Sequence, residues 1–150
     1  MPSEPLFDAH CDTVLRVLDE NADFLGQAPT THIDLPRLRD AGVRAQIFAC
    51  FVLAERYPGE EAQRLSELLD TLDGMVASSG GELRIARTAS ALRDAFAGGP
   101  IAAIVGMEGA DPLEGRAYNL RAWSERGVRN VIFAWKDNPF RARPSGGTRR

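Results

Sequence analysis

The sequence predicts an α/β fold built on a parallel sheet. Three observations carry that expectation. Along its 150 residues, runs rich in β-formers alternate with segments of helical period. Two of the runs, 43–53 and 101–107, are apolar almost throughout, as strands covered on both faces are. Glycine, proline and capping residues punctuate the joints between segments.

The first strand is expected at about Leu6–Ala9 and a short helix at about Thr13–Glu20. Asp34-Leu-Pro-Arg-Leu-Arg-Asp-Ala-Gly42 reads as a compact helix. Asp34 can cap it, Pro36 suits its first turn, and Gly42 can end it in the left-handed conformation. Val43–Leu53 is the next strand. In Glu60–Ser78, Leu65, Leu68, Leu69, Leu72, Met75 and Val76 share one helical stripe, with Glu61, Arg64, Glu67, Asp70 and Asp73 largely off it. Gly80-Gly81 stops that helix. A brief strand at Leu83–Ala86 and a helix near Ser90–Ala97 follow, broken by Gly98-Gly99-Pro100. Ile101–Met107 is a buried strand, Leu113–Arg126 a helix closed by Gly127, and Val128–Trp135 the last strand. The whole amounts to four main strand-plus-helix units.

An apolar fraction of 44% and a charged fraction of 26% are those of a globular domain able to bury a core. A net charge of −3 argues against a nucleic-acid partner or a membrane-surface role. No apolar run approaches the ~18 residues of a membrane span. Met1-Pro-Ser-Glu4 lacks a basic leader region, so no signal peptide is expected. Cys11 and Cys50 are too few for a disulfide framework. Cytoplasmic residence with reduced thiols follows. Residues 141–150 hold four arginines and no acid, so the rest of the chain carries −7. We expect a unit at 1–140 and a separate basic tail at 141–150, disordered or read out of frame.

Chemistry concentrates at strand ends. His10-x-Asp12 offers two metal donors one residue apart. Period-two alternation sends both to one side and Cys11 to the other. The competing reading is a surface turn with a capping Asp12. Glu108 ends the apolar strand 101–107, and acids are rarely buried without a partner or a metal. Ligands bind at the carboxyl ends of parallel strands. His10, Asp12 and Glu108 are therefore expected to converge on one rim as metal ligands, Glu108 also being the catalytic candidate.

Asp8-Ala-His10-Cys-Asp12, His32-Ile-Asp34-Leu-Pro-Arg-Leu, Gly42-Val-Arg-Ala-Gln46, Val105-Gly-Met-Glu108-Gly109 and Arg126-Gly-Val-Arg129 come in this order. Together they resemble successive blocks of the membrane (renal) dipeptidase family, the M19 peptidases, over about residues 5–140. The resemblance implies a (β/α)₈ TIM barrel with a two-zinc site that hydrolyses dipeptides or similar small amides by a metal hydroxide. It implies that His10 and Asp12 bind the first zinc and that Glu108 bridges both. The family draws two more histidines and a catalytic acid from later strands, and none of these matches here, since no histidine follows His32. Trp135 stands where a substrate-contacting histidine is common, and Asn138 matches a pocket-side asparagine of the family.

Eight strands close such a barrel, and this chain supplies about half of them. The expectation is an incomplete (β/α)₈ barrel with open sheet edges, prone to homo-oligomerise or self-associate through them. It would be inactive alone and would hold zinc weakly. The alternatives are another amidohydrolase-type metal hydrolase and a non-catalytic half-barrel fragment. Among other residues, Cys11 and Cys50 are expected in the core and His32 in a loop. Asp111 is expected to cap the helix ahead of Leu113, and Trp123 to pack. Gly98-Gly99 is a break without a phosphate-loop pattern. No Schiff-base role is expected of the single lysine, Lys136.

Overall fold

The computed structural model describes residues 4–26 and 31–133. Trp135, Lys136, Asn138 and the basic tail lie outside the described residues. The elements run β1 (Leu6–Cys11), α1 (Thr13–Glu20), α2 (Leu35–Asp40), β2 (Val43–Phe51), α3 (Glu61–Ser78), β3 (Leu83–Ile85), α4 (Ala89–Phe96), β4 (Ile101–Glu108), α5 (Asn119–Arg126) and β5 (Val128–Ile132). All five strands lie in one parallel sheet that does not close. This is the expected α/β fold, an open portion of a (β/α)₈ barrel.

Strand order is β1-β2-β4-β3, and β5 also pairs with β4. β2 occupies one side of β4 from Ala102 to Glu108. β3 and β5 must therefore share the other side. β3 takes Ile101–Ala103 and β5 takes Val105–Glu108.

That order decides where the helices go. Crossovers between parallel strands are right-handed. The steps from β1 to β2, β2 to β3 and β4 to β5 all advance in one direction, so their helices share a face. The step from β3 to β4 runs backwards, so α4 belongs on the opposite face. The two cores agree. Phe48, Cys50, Ile101, Ala103, Val105 and Met107 pack with Val14, the leucines of α3 and Leu113. Ala45, Ala102 and Ile104 instead meet Ala91, Leu92 and Ala95 of α4. This second, inner face also carries Glu108, by alternation along β4. Thus α4 closes the inner face at the amino ends of the strands and leaves the carboxyl ends open.

The main core rests on α3. Leu65, Leu68, Leu69 and Leu72 are all buried on its stripe. Each contributes roughly 1.5–3 kcal/mol relative to exposure. At α2, Asp34 Oδ1 accepts from the Arg37 N–H at 2.8 Å, as a capping residue should. Gly42 takes φ 75° just beyond that helix.

One expected element divides. Leu113–Arg126 is not a single helix. A 3₁₀ turn at Asp111–Leu113 is followed by a break, and α5 starts only at Asn119. Glu114 at φ 52° and Gly115 at φ 70° cannot continue a right-handed helix. Asp111 does not cap either: it begins the turn, and Ala110 sits at the cap position. Trp123 packs as expected, its indole N–H donating to the Pro112 carbonyl at 3.2 Å. Cys11 and Cys50 are free, buried thiols of the main core. Among the described residues, no helix is long and apolar enough to cross a membrane.

Candidate metal centre

β1 is irregular where the ligands sit. Asp8 pairs with Gln46 and Cys11 with Phe48, so β1 advances three residues while β2 advances two. One extra residue is accommodated in β1, a bulge. An opposite shift lies one step earlier, where Leu6 pairs with Val43 and Phe7 with Ala45. The two offset each other, and Cys11 ends with its side chain in the helix-side core.

Asp12 follows as the residue before α1. It holds the capping position yet makes no capping hydrogen bond. Its carboxylate turns to the imidazole of His10 instead, Oδ2 lying 3.4 Å from Nε2. The capping-Asp reading therefore fails. The positive end of α1 still favours a carboxylate at this place. Glu108 ends β4 on the inner face, and its Oε2 lies 3.3 Å from His10 Nε2. Donor atoms of His10, Asp12 and Glu108 all fall within 4.8 Å of one another.

The environments differ. His10 and Asp12 are exposed, whereas Glu108 retains 8% of its surface. Burial pushes the Glu108 carboxyl above the ordinary glutamate range; His10 opposes the shift and the Asp12 charge adds to it. Glu108 Oε2 is buried, and among the described residues no group donates a hydrogen bond to it. His10 Nε2 stands within ion-pair distance of it, at 3.3 Å, without forming a hydrogen bond. An orphaned buried carboxylate oxygen is costly unless a cation meets it.

The donor set suits zinc in kind, and the two separations from His10 suit it in spacing. Imidazole nitrogen and carboxylate oxygen are ordinary zinc ligands at ~2.0–2.2 Å. Ligands at that radius around a tetrahedral ion stand about 3.3–3.6 Å apart. The two separations from His10 Nε2 fall in or beside that range.

Two cavities flank the triad. One of about 580 Å³ is lined by Asp8, His10, Asp12, Arg16, Thr31 and His32, among others. Another of about 390 Å³ is lined by Asp12, Arg16, Phe51 and Glu108, among others. His32 lies in an exposed loop, as expected, and both histidines of the chain border the larger cavity. Sequence reasoning missed Asp8 and Arg16 as neighbours of the site. Arg16 sits four residues after Asp12, one turn along the same helix, and that spacing could have revealed it.

The chain matches the membrane dipeptidase family, peptidase family M19, over residues 1–146. An uncharacterised protein of the PQQ-III 3′ region of Acinetobacter calcoaceticus is 26% identical, over 87% of this chain and 49% of its own length. A solved dipeptidase described as an M19 metallopeptidase superposes with a TM-score of 0.77 at 25% identity, covering 86% of this chain and 42% of that one. A metallopeptidase from Rhodobacter sphaeroides, solved with a phosphinate mimic of the dipeptide L-Ala-D-Ala, gives 0.77 at 24% identity, with 86% and 45% covered. The chain thus spans about half the length of these relatives. With the match running nearly from end to end of the sequence, this chain belongs to the membrane dipeptidase (M19 peptidase) family.

Proposed function

We propose that this chain carries one half of the metal site of a zinc-dependent dipeptidase. His10, Asp12 and Glu108 would be the ligands in this reading, with Glu108 contributing to both metal positions. The observation that carries it is the buried Oε2 of Glu108, which accepts no hydrogen bond among the described residues and faces His10 across the mouth of the sheet.

His10 Nε2 and one Asp12 oxygen would hold the first ion. Glu108, with two oxygens on one rigid strand end, would serve both positions. Zinc, when bound, supplies Lewis-acid polarisation of the scissile carbonyl and a water acidic enough to attack near neutral pH. The protein's own contribution is placement. The strand ends fix the donors, the bulge in β1 aims His10, and burial leaves Glu108 with little water around it. A substrate of dipeptide size would occupy the adjoining cavity of about 580 Å³. Trp135 and Asn138 are proposed as further pocket residues.

Three protein donors leave a site short of ligands. The chain alone should bind zinc weakly and should not turn over dipeptides. Among the described residues β1 and β5 have unpaired edges, and these would supply a route to self-association. Cytoplasmic residence belongs to the same reading, which the free thiols of Cys11 and Cys50 suit.

Calorimetric titration of the metal-free chain with zinc is the test. One weak site, lost in Glu108→Ala, is the expected result. No binding, or binding that survives Glu108→Ala, would overturn the assignment. Two tight sites would contradict the half-site reading.

A further inference from the structure

The bulge in β1 leaves a bookkeeping problem for the backbone. A residue inserted into a parallel ladder loses its place in the hydrogen-bond register. The register jumps between Asp8 and Cys11, so Ala9 and His10 fall within the irregular step. The N–H of His10 is nonetheless satisfied. It donates to Oδ1 of Asp8 at 3.1 Å.

We propose that Asp8 is a positioning residue of the metal centre. Its carboxylate locks the bulge by accepting the His10 N–H, and the bulge aims the imidazole at Asp12 and Glu108. The inference rests on the metal reading above but invokes a residue outside the ligand set. Three facts converge on it. The extra residue falls within the three-residue step that contains His10. The His10 N–H donates to the side chain of the residue that opens that step. His10 Nε2 then stands 3.3–3.4 Å from both partner carboxylates. Without the lock, His10 can relax toward regular alternation, which exchanges the faces of successive side chains.

The chemistry required of position 8 is a short side chain with an acceptor oxygen two residues before the ligand. Aspartate and asparagine both supply it, as in turns where they bond backbone two residues on. Alanine does not. Partners that orient a metal ligand typically contribute about 10–100-fold to metal affinity when removed.

The test compares Asp8→Ala and Asp8→Asn in the full chain, with zinc as the probe. Calorimetry should show zinc affinity reduced about 10-fold or more in Asp8→Ala and close to the parent in Asp8→Asn. A second readout works without metal: amide hydrogen exchange at His10 should quicken in Asp8→Ala and hold in Asp8→Asn. Unchanged protection in β4 would show that the fold persists in both variants. Parent-like zinc affinity in Asp8→Ala overturns the proposal, as does an Asp8→Asn variant as weak as Asp8→Ala. If the parent binds no zinc, the metal reading fails by itself. The exchange readout then decides the inference, and a His10 amide unchanged in Asp8→Ala refutes it.

Discussion

His10 Nε2 and Glu108 Oε2 lie 3.3 Å apart although their strands are not neighbours. β2 runs between β1 and β4. On a flat sheet, strands two places apart stand almost 10 Å from each other. Both residues close strands on the same face, and two long side chains leaning toward each other over β2 span that gap. The site is thus a product of strand order and of the face each strand end presents.

Glu108 should cost the metal-free chain stability. Its Oε2 is buried without a hydrogen bond. Glu108→Gln removes the charge at nearly constant shape. The metal-free variant should be more stable than the parent by about 0.5–2 kcal/mol near neutral pH. The Glu108 carboxyl is raised above its ordinary value of 4.5. Folding thus favours the protonated form, and the parent gains stability as pH falls through the raised value. The gap between parent and variant should close toward pH 4. Thermal melts at several pH values check this; a gap that widens in acid would refute it.

The two thiols should be inert in the native state. Burial pushes Cys11 up to about 11 and Cys50 up to about 12. At pH 8 the thiolate fractions are then about one in a thousand and one in ten thousand. A disulfide reagent at that pH should label neither cysteine until denaturant is added. Because the folded values exceed the ordinary 9.0, this part of the stability holds below pH 9 and fades as pH rises through 11. Rapid labelling of native protein at pH 8 would show the core to be open.

Much of this architecture was legible in the residues. The bounds of α1 and the cap at Asp34 follow from local chemistry that the fold leaves intact. His10, Asp12 and Glu108 do lie together, because all three stand at strand ends on one rim, which local rules place. Three features were not legible. The break after Leu113 escaped notice because Leu113, Leu120 and Trp123 all face the core on either side of it. Apolar period persists across a turn that the backbone does not. The inner placement of α4 escaped for a different reason. It depends on β3 lying beyond β4, and strand order is a long-range property that alternation does not encode. The bulge at Asp8 shares that character, since register exists only between two strands.

Arg64 should be a structural keystone between α1 and α3. It is buried, a rare state for arginine, and ion-pairs with Asp19 and Glu67. Its guanidinium also lies 4.8 Å from the centre of the Tyr57 ring. Arg64→Met keeps the apolar stem but strands Asp19. Because Asp19 is about a third exposed, water can compensate part of the loss. The expected cost is about 1–3 kcal/mol, read by urea denaturation. A neutral result would mean that stem packing, not the charge, holds the two helices.

Asp34 offers a cleaner partition of capping from charge. Its side chain is fully buried, Oδ1 taking the Arg37 N–H and Oδ2 standing 2.9 Å from the Arg37 guanidinium. Asp34→Asn keeps an acceptor for the backbone but loses the ion pair. Asp34→Ala loses both. The alanine variant should lose about 1–3 kcal/mol, because a capping bond and a buried charge partner vanish together. The asparagine variant should lose less than half of that, since Arg37 is half-exposed and rehydrates. α2 leads directly into β2, so both losses should appear in the global denaturation midpoint. Equal losses in the two variants would assign the whole effect to the Arg37 pair and none to the cap.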